Sequence, residues 1–184
     1  MSNSEAMRAS KYRCRCQWER QVFVVFRKPM AAANRFLPSP TETTLMSLNG
    51  PWTVSFQPDR GVTGNITFNK LISWSDYSNQ GVKYFSGTAT YTKTVRAQNN
   101  WFKPGTHFLL DLGDVKELAE VAINGKSLGI VWKAPYRIDV TEALRHGDKK
   151  LSRSVTNLWV NRLIGDQQPS STKIHIHHFP AVPP

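Results

Sequence analysis

The sequence predicts an all-β sandwich, and three observations carry that prediction. From Leu45 onward, short segments of alternating apolar and polar residues are separated by Gly, Pro and Asn turn signals. Only one brief stretch, Thr141-Glu-Ala-Leu144, has helical character. Asn124-Gly125 stands between two apolar runs, the pair a type I′ hairpin turn favours because both central residues take positive φ.

The elements follow in order. Trp52, Val54 and Phe56 share one face of a strand that Pro58 ends. Phe85, Gly87, Ala89, Tyr91 and Val95 share a parity within a long strand from about Lys83 to Val95. His107 to Leu112 is a continuous apolar run, as expected of a central strand covered on both faces. Ala119, Val121 and Ile123 alternate into the Asn-Gly turn, and Leu128 to Trp132 leads out of it. Tyr136, Ile138 and Val140 make the next strand. Thr141 to Leu144 is at most one helical turn, with Thr141 as its cap and Gly147 ending it. Leu151 to Thr156 is the last strand, with Arg153 where alternation prefers an apolar residue. Ahead of these lies one short strand-like run, Val22 to Phe26, followed by a linker from Ala31 to Thr44 that carries Pro38 and Pro40.

Composition bounds the function. At 40 % hydrophobic residues in 184, the chain can fill a core and is not globally disordered. Its longest candidate apolar run, Val22 to Phe26, is far short of the roughly 18 residues a membrane helix needs. No apolar stretch of signal-peptide length opens the chain. The net charge of +11 is concentrated early: residues 1–40 hold eight basic and two acidic side chains. Residues 41–170 hold 15 and 11, so the body lacks the basic stripe of a nucleic-acid binder.

Catalytic signatures are weak. Glycosidase chemistry needs two carboxyl groups about 5–10 Å apart in a cleft. The carboxylates of the body are dispersed, with Asp111, Asp114, Glu117 and Glu120 the densest stretch. No GxSxG elbow and no phosphate-cradling glycine loop occurs. Cys14 and Cys16 make a lone CxC, insufficient for zinc. His175 and His177 share a strand face and could share a metal, but they stand in a Pro-rich tail. Aromatic rings in loop-like stretches are the better binding candidates, because an exposed flat ring stacks on the apolar face of a sugar. Trp74 and Tyr77, with Asp76 between them, lie in the polar stretch Ser73–Tyr77, and Trp132 follows the hairpin.

A set of motifs then narrows the reading. Leu110-Asp-Leu-Gly-Asp-Val115, Ala119-Glu-Val-Ala-Ile-Asn-Gly-Lys126, Pro135-Tyr-Arg-Ile-Asp-Val140 and Gly87-Thr-Ala-Thr-Tyr91 with Lys93 resemble the sugar-binding domain of family 2 glycoside hydrolases. Gly50-Pro-Trp-Thr-Val-Ser-Phe-Gln57, Gly81 to Gly87, and Val155 to Trp159 followed by Asn161 to Asp166 resemble the C-terminal part of family 106 α-L-rhamnosidases more closely. The resemblance spans about residues 22–168 and implies a galactose-binding-like jelly roll over 45–168. Residues 1–44 are then an N-terminal extension and linker, and 169–184 a tail.

In those enzymes the catalytic carboxylates lie in an upstream barrel. The resemblance therefore implies a non-catalytic carbohydrate-binding or scaffolding domain, with carbohydrate and the catalytic domain as partners and neither nucleic acid nor membrane. It points to a secreted or periplasmic parent, although this chain shows no signal peptide. A structural calcium is common in the fold, but no Asp-rich loop marks its ligands. The expected ligand contacts are Trp74, Asp76, Tyr77 and Trp132, and the expected domain-interface residues are Asn157, Asn161, Arg162 and Asp166. An unpaired Val22–Phe26 strand would be an edge through which the chain could self-associate. The alternatives are a small stand-alone glycosidase using Asp114, Glu117 or Glu120, and a structural domain without ligand.

Overall fold

The computed structural model describes residues 41–169. The expectations for Cys14 and Cys16, the Val22–Phe26 strand and the His175–His178 tail lie outside the described residues. What is described is an all-β sandwich. Strands β1 (Trp52–Phe56), β2 (Asn65–Phe68), β3 (Thr88–Ala97), β5 (Leu118–Ile123), β6 (Lys126–Val131) and β8 (Gly147–Thr156) form one antiparallel sheet in the order β2-β1-β3-β8-β5-β6. Strands β4 (Leu109–Asp111) and β7 (Arg137–Asp139) pair as a second sheet. Phe108, Leu112 and Val140, which flank this small sheet, share one buried cluster with Trp52, Val54, Val121 and Leu151 of the large one.

The period of two decides which face is buried. On β1, Trp52, Val54 and Phe56 point inward while Thr53 and Ser55 face out. Register carries that parity across the sheet: Val54 opposes Tyr91, Tyr91 opposes Arg153, and Arg153 opposes Val121. The outer face of the two long strands is a hydroxyl ladder, with Thr88 bonded to Thr156 at 2.8 Å and Thr90 to Ser154 at 3.0 Å. The β5–β6 hairpin turns through Asn124 (φ 50°) and Gly125 (φ 81°), as the Asn-Gly pair predicts.

Six elements differ from the sequence expectation. The strand expected from about Lys83 does not begin there, because Lys83 ends a helical turn, α1 (Gln80–Lys83), capped by Asn79 Oδ1 accepting from Val82 N. The chain becomes extended at Thr88, after Gly87 turns it with φ 144°. The run from His107 to Leu112 is not a central strand covered on both faces. It pairs with one strand and only one of its faces is covered: Phe108 and Leu112 are buried while Leu109 faces solvent. The last strand begins at Gly147 rather than Leu151, extending the pairing with β3 to its full length. Thr141 does not cap a helix: its Oγ1 accepts from Phe108 N at 2.8 Å and ties the turn after β7 to β4. Strand β2 and a helix after β8, α2 (Val160–Asp166), have no counterpart in the sequence expectation. Among the described residues no helix is long and apolar enough to cross a membrane.

Candidate functional site

The four expected ligand contacts do not form one platform. Asp76 and Trp74 belong to a 3-10 turn, Trp74–Asp76, after β2 at one edge of the large sheet, whereas Trp132 leaves β6 at the other edge. Trp74 is a core residue, 7 % exposed, and the expectation of an open stacking ring there is corrected. Its ring packs edge-on against Phe56 and Phe85 at 5.7 and 5.4 Å, and its indole donates to the Tyr91 hydroxyl at 2.6 Å. That bond satisfies the one polar atom of a buried indole, so the ring is held inward. Tyr77 is half-buried and stacked on Phe68 at 4.6 Å, one face already covered. Asp76 is exposed beside them. Trp132 alone matches its expectation of exposure, at 68 %, with Lys133 Nζ 5.5 Å from its ring centre.

The expected interface residues divide. Asn157 is an internal clasp rather than an external one: its Oδ1 accepts from Gly87 N and its Nδ2 donates to Phe85 O, both at 2.9 Å. It thus fastens the end of β8 to the entry of β3. Arg162 and Asp166 form an ion pair one turn apart on α2, and Arg162 N donates to Ser86 Oγ at 3.0 Å. Gly165 lets the helix approach closely, since a Cβ there would fall 2.6 Å from Tyr84 Cβ. Asn161 is half-buried. The same segment carries exposed apolar side chains that the polar motif concealed: Leu158, Trp159, Val160, Leu163 and Ile164, with Leu163 60 % exposed. The guanidinium of Arg60 sits 4.9 Å over the Trp159 ring.

The carboxylates of the 111–120 stretch are engaged separately. Asp111 accepts from Gly113 N at 2.9 Å and from Arg137 Nε at 2.7 Å. The Gly113 amide, helped by Arg137, holds its carboxyl below the usual range despite some desolvation, which suits a permanent anion and not a proton donor. Glu120 accepts from Ser127 at 2.6 Å, and Asp114 reaches Lys116 at 3.8 Å in solvent. Among the described residues no group of three or more His, Cys, Asp or Glu side chains converges to hold a metal ion.

One feature of the site escaped the motif reading. Arg153, on the core parity of β8, is 8 % exposed. Its guanidinium carbon lies 4.6 Å from the Trp52 ring centre and 4.8 Å from that of Tyr91. Its Nε is buried with no acceptor. Burial lowers its pKa, while burial raises that of Tyr91 against the opposing effects of the Trp74 bond and the Arg153 charge. Arg153 and Trp52 border a cavity of about 150 Å³ whose rim includes Asn49, Asp111 and Gly113. The break in alternation at Arg153 was the visible signal.

No protein-family model matches the sequence. The chain is 45 % identical over 141 residues to a provisionally named beta-glucuronidase of Formosa agariphila, covering 77 % of this chain and 12 % of that protein. It superposes on the rhamnosidase from Novosphingobium sp. PP1Y with a TM-score of 0.76 at 43 % identity, covering 81 % of this chain and 14 % of that one. A beta-glucuronidase from an uncultured Clostridium sp. shares the fold with a TM-score of 0.52 at 22 % identity, over 60 % of this chain and 22 % of its own. The chain is thus similar to one segment of glycoside hydrolases and spans about an eighth of the length of the first two.

Proposed function

We propose that the chain is a non-catalytic, galactose-binding-like jelly-roll domain of a rhamnosidase-like glycoside hydrolase, and that it seats against the rest of that enzyme through residues 158–164. The apolar surface carries this reading. Leu158, Val160 and Leu163 are each more than half exposed, and Trp159 and Ile164 extend the same short segment. Contiguous exposed apolar surface of this kind is a mark of an interaction face. Asn157 and the Arg162–Asp166 pair brace the segment from inside, so the surface is presented by a fixed scaffold. Asp111, Asp114 and Glu120 are each engaged by a different partner, Arg137, Lys116 and Ser127, which supports a non-catalytic reading of this part.

The test is a graft. Residues 44–169 replace the matching segment of the Novosphingobium rhamnosidase, and the chimera is assayed with and without Leu163→Asp plus Ile164→Asp. The double change lowers the chimera's melting temperature and activity while the separate 184-residue chain melts unchanged. A chimera indifferent to both substitutions refutes the seating. A second, carbohydrate-binding reading rests on the exposed ring of Trp132. Saturable calorimetric heat with rhamnose that disappears in Trp132→Ala supports it, and silence removes it.

A further inference from the structure

Among the described residues the sandwich holds one cation, Arg153, that is buried without a carboxylate partner. Arg153 interrupts a row of core positions, opposite Tyr91 on one neighbouring strand and Val121 on the other. Two aromatic rings cover the guanidinium, and no oxygen accepts from its Nε. A buried charge is ordinarily paired and hydrogen-bonded, because the low-dielectric interior penalises it otherwise. Aromatic faces offset part of that penalty but supply no acceptor for the N–H groups. Lys93 strengthens the positive field from the same sheet face. Its Nζ lies 5.7 Å from the Trp52 ring centre and donates to the carbonyls of Asn49 and Pro51, not to a carboxylate.

The cavity beside this cation has the complementary features of a small-ligand site. Leu48, Leu110 and Leu112 supply apolar wall, the Arg153 side chain borders the space, and Asp111 stands at the rim, held by Arg137 and Gly113. At about 150 Å³ it is smaller than a drug-sized pocket and suits a ligand no larger than one monosaccharide. The planar fork of an arginine matches a carboxylate in both geometry and charge. An ionised carboxylate at the rim accepts from hydroxyl groups and repels an anion that would bind there instead.

We propose that this cavity is a binding site for a small hydroxy-carboxylate of monosaccharide size, its carboxylate on Arg153 and a hydroxyl on Asp111. The site is separate from the seating surface at 158–164 and stands whether or not that surface docks. D-glucuronate is the probe, with acetate as a carboxylate lacking hydroxyls and D-glucose as a ring lacking the carboxylate.

Isothermal titration of the full chain at fixed ionic strength gives saturable glucuronate binding, at least tenfold weaker acetate binding and none for glucose. Arg153→Met abolishes the glucuronate heat while circular dichroism reports a folded sheet. Should that variant fail to fold, Asp111→Asn decides: removing the rim charge while keeping an acceptor tightens acetate binding severalfold. Glucose binding equal to glucuronate, glucuronate binding that survives Arg153→Met, or acetate affinity unmoved by Asp111→Asn each overturns the site. Absence of heat with every acid also overturns it and leaves Arg153 a structural cation between two rings.

Discussion

Asn157 offers the sharpest test of whether the polar motif at the end of β8 works inside the domain or outside it. The motif suggests a contact with another domain, in which case truncation leaves the separate chain's stability untouched. The structure instead gives Asn157 two side-chain bonds at 2.9 Å, to backbone groups of Gly87 and Phe85 some 70 residues away. Each bond contributes about 1 kcal/mol net, and the half-buried amide and carbonyl left behind add a desolvation cost. Asn157→Ala therefore costs about 2–3 kcal/mol, or a fall in Tm of about 10 °C for a folded body of this size. Asn157→Asp keeps the acceptor for Gly87 N but sets a carboxylate oxygen against Phe85 O, so it costs at least as much as alanine. Asn161→Ala, on the same motif, stays within about 0.5 kcal/mol of the parent. Thermal unfolding followed by circular dichroism reads all three. An Asn157→Ala melting curve that overlays the parent's would refute the internal clasp.

Three further expectations follow from neighbouring contacts. Trp74→Phe removes the donor to the buried Tyr91 hydroxyl and leaves part of the indole's space empty, costing about 2–4 kcal/mol by denaturant titration. Because that bond lowers the Tyr91 pKa, the same variant moves the phenol's ionisation higher in an ultraviolet alkaline titration. Gly165→Ala stabilises an ordinary exposed helix by up to about 1 kcal/mol. Here the new methyl meets Tyr84 at 2.6 Å, so the denaturant midpoint falls instead of rising. Asp111 and Asp139 both have lowered pKa values, Asp111 chiefly through the Gly113 amide and Asp139 chiefly through Thr141. A carboxylate whose pKa is lower folded than unfolded stabilises the fold above the unfolded value, about 3.9, and loses that contribution as pH falls through the folded one. The urea midpoint therefore drops on acidification below about pH 4, and Asp111→Asn makes that drop shallower.

What the sequence reveals depends on how far away the deciding atoms lie. The Asn124-Gly125 turn is settled by two adjacent residues, and the structure places positive φ at both. The inward face of β1 is settled by a period of two within five residues. His107–Leu112 misleads because an apolar run does not state whether anything packs on its second face, and Leu109 is left facing solvent. Trp74 misleads for a related reason. Inside a 3-10 turn there is no alternation to read, and the hydroxyl that draws its indole inward belongs to a residue 17 positions later. α2 presents apolar residues to solvent, so its pattern resembles neither a core-facing helix nor a strand.

Arg153 belongs to a third kind of position, where the sequence shows an anomaly without its meaning. An arginine on apolar parity could end a strand, reach solvent past an edge, or lie beneath the opposite sheet. The first is excluded by unbroken pairing of β8 with β3 on both sides of it, and the second by its place between β3 and β5 in the middle of the large sheet. Only the third remains, and it requires rings to cover the charge, which Tyr91 supplies from one strand apart and Trp52 from two. Tyr91 is thereby committed twice, its face to Arg153 and its hydroxyl to Trp74. A single line of contacts thus runs from the 3-10 turn through the core to the floor of the cavity. Occupancy of the cavity by a carboxylate would reduce the positive charge that Tyr91 senses, so the phenol's ionisation should move higher when glucuronate binds. An alkaline titration unchanged by saturating glucuronate would separate the two ends of that line.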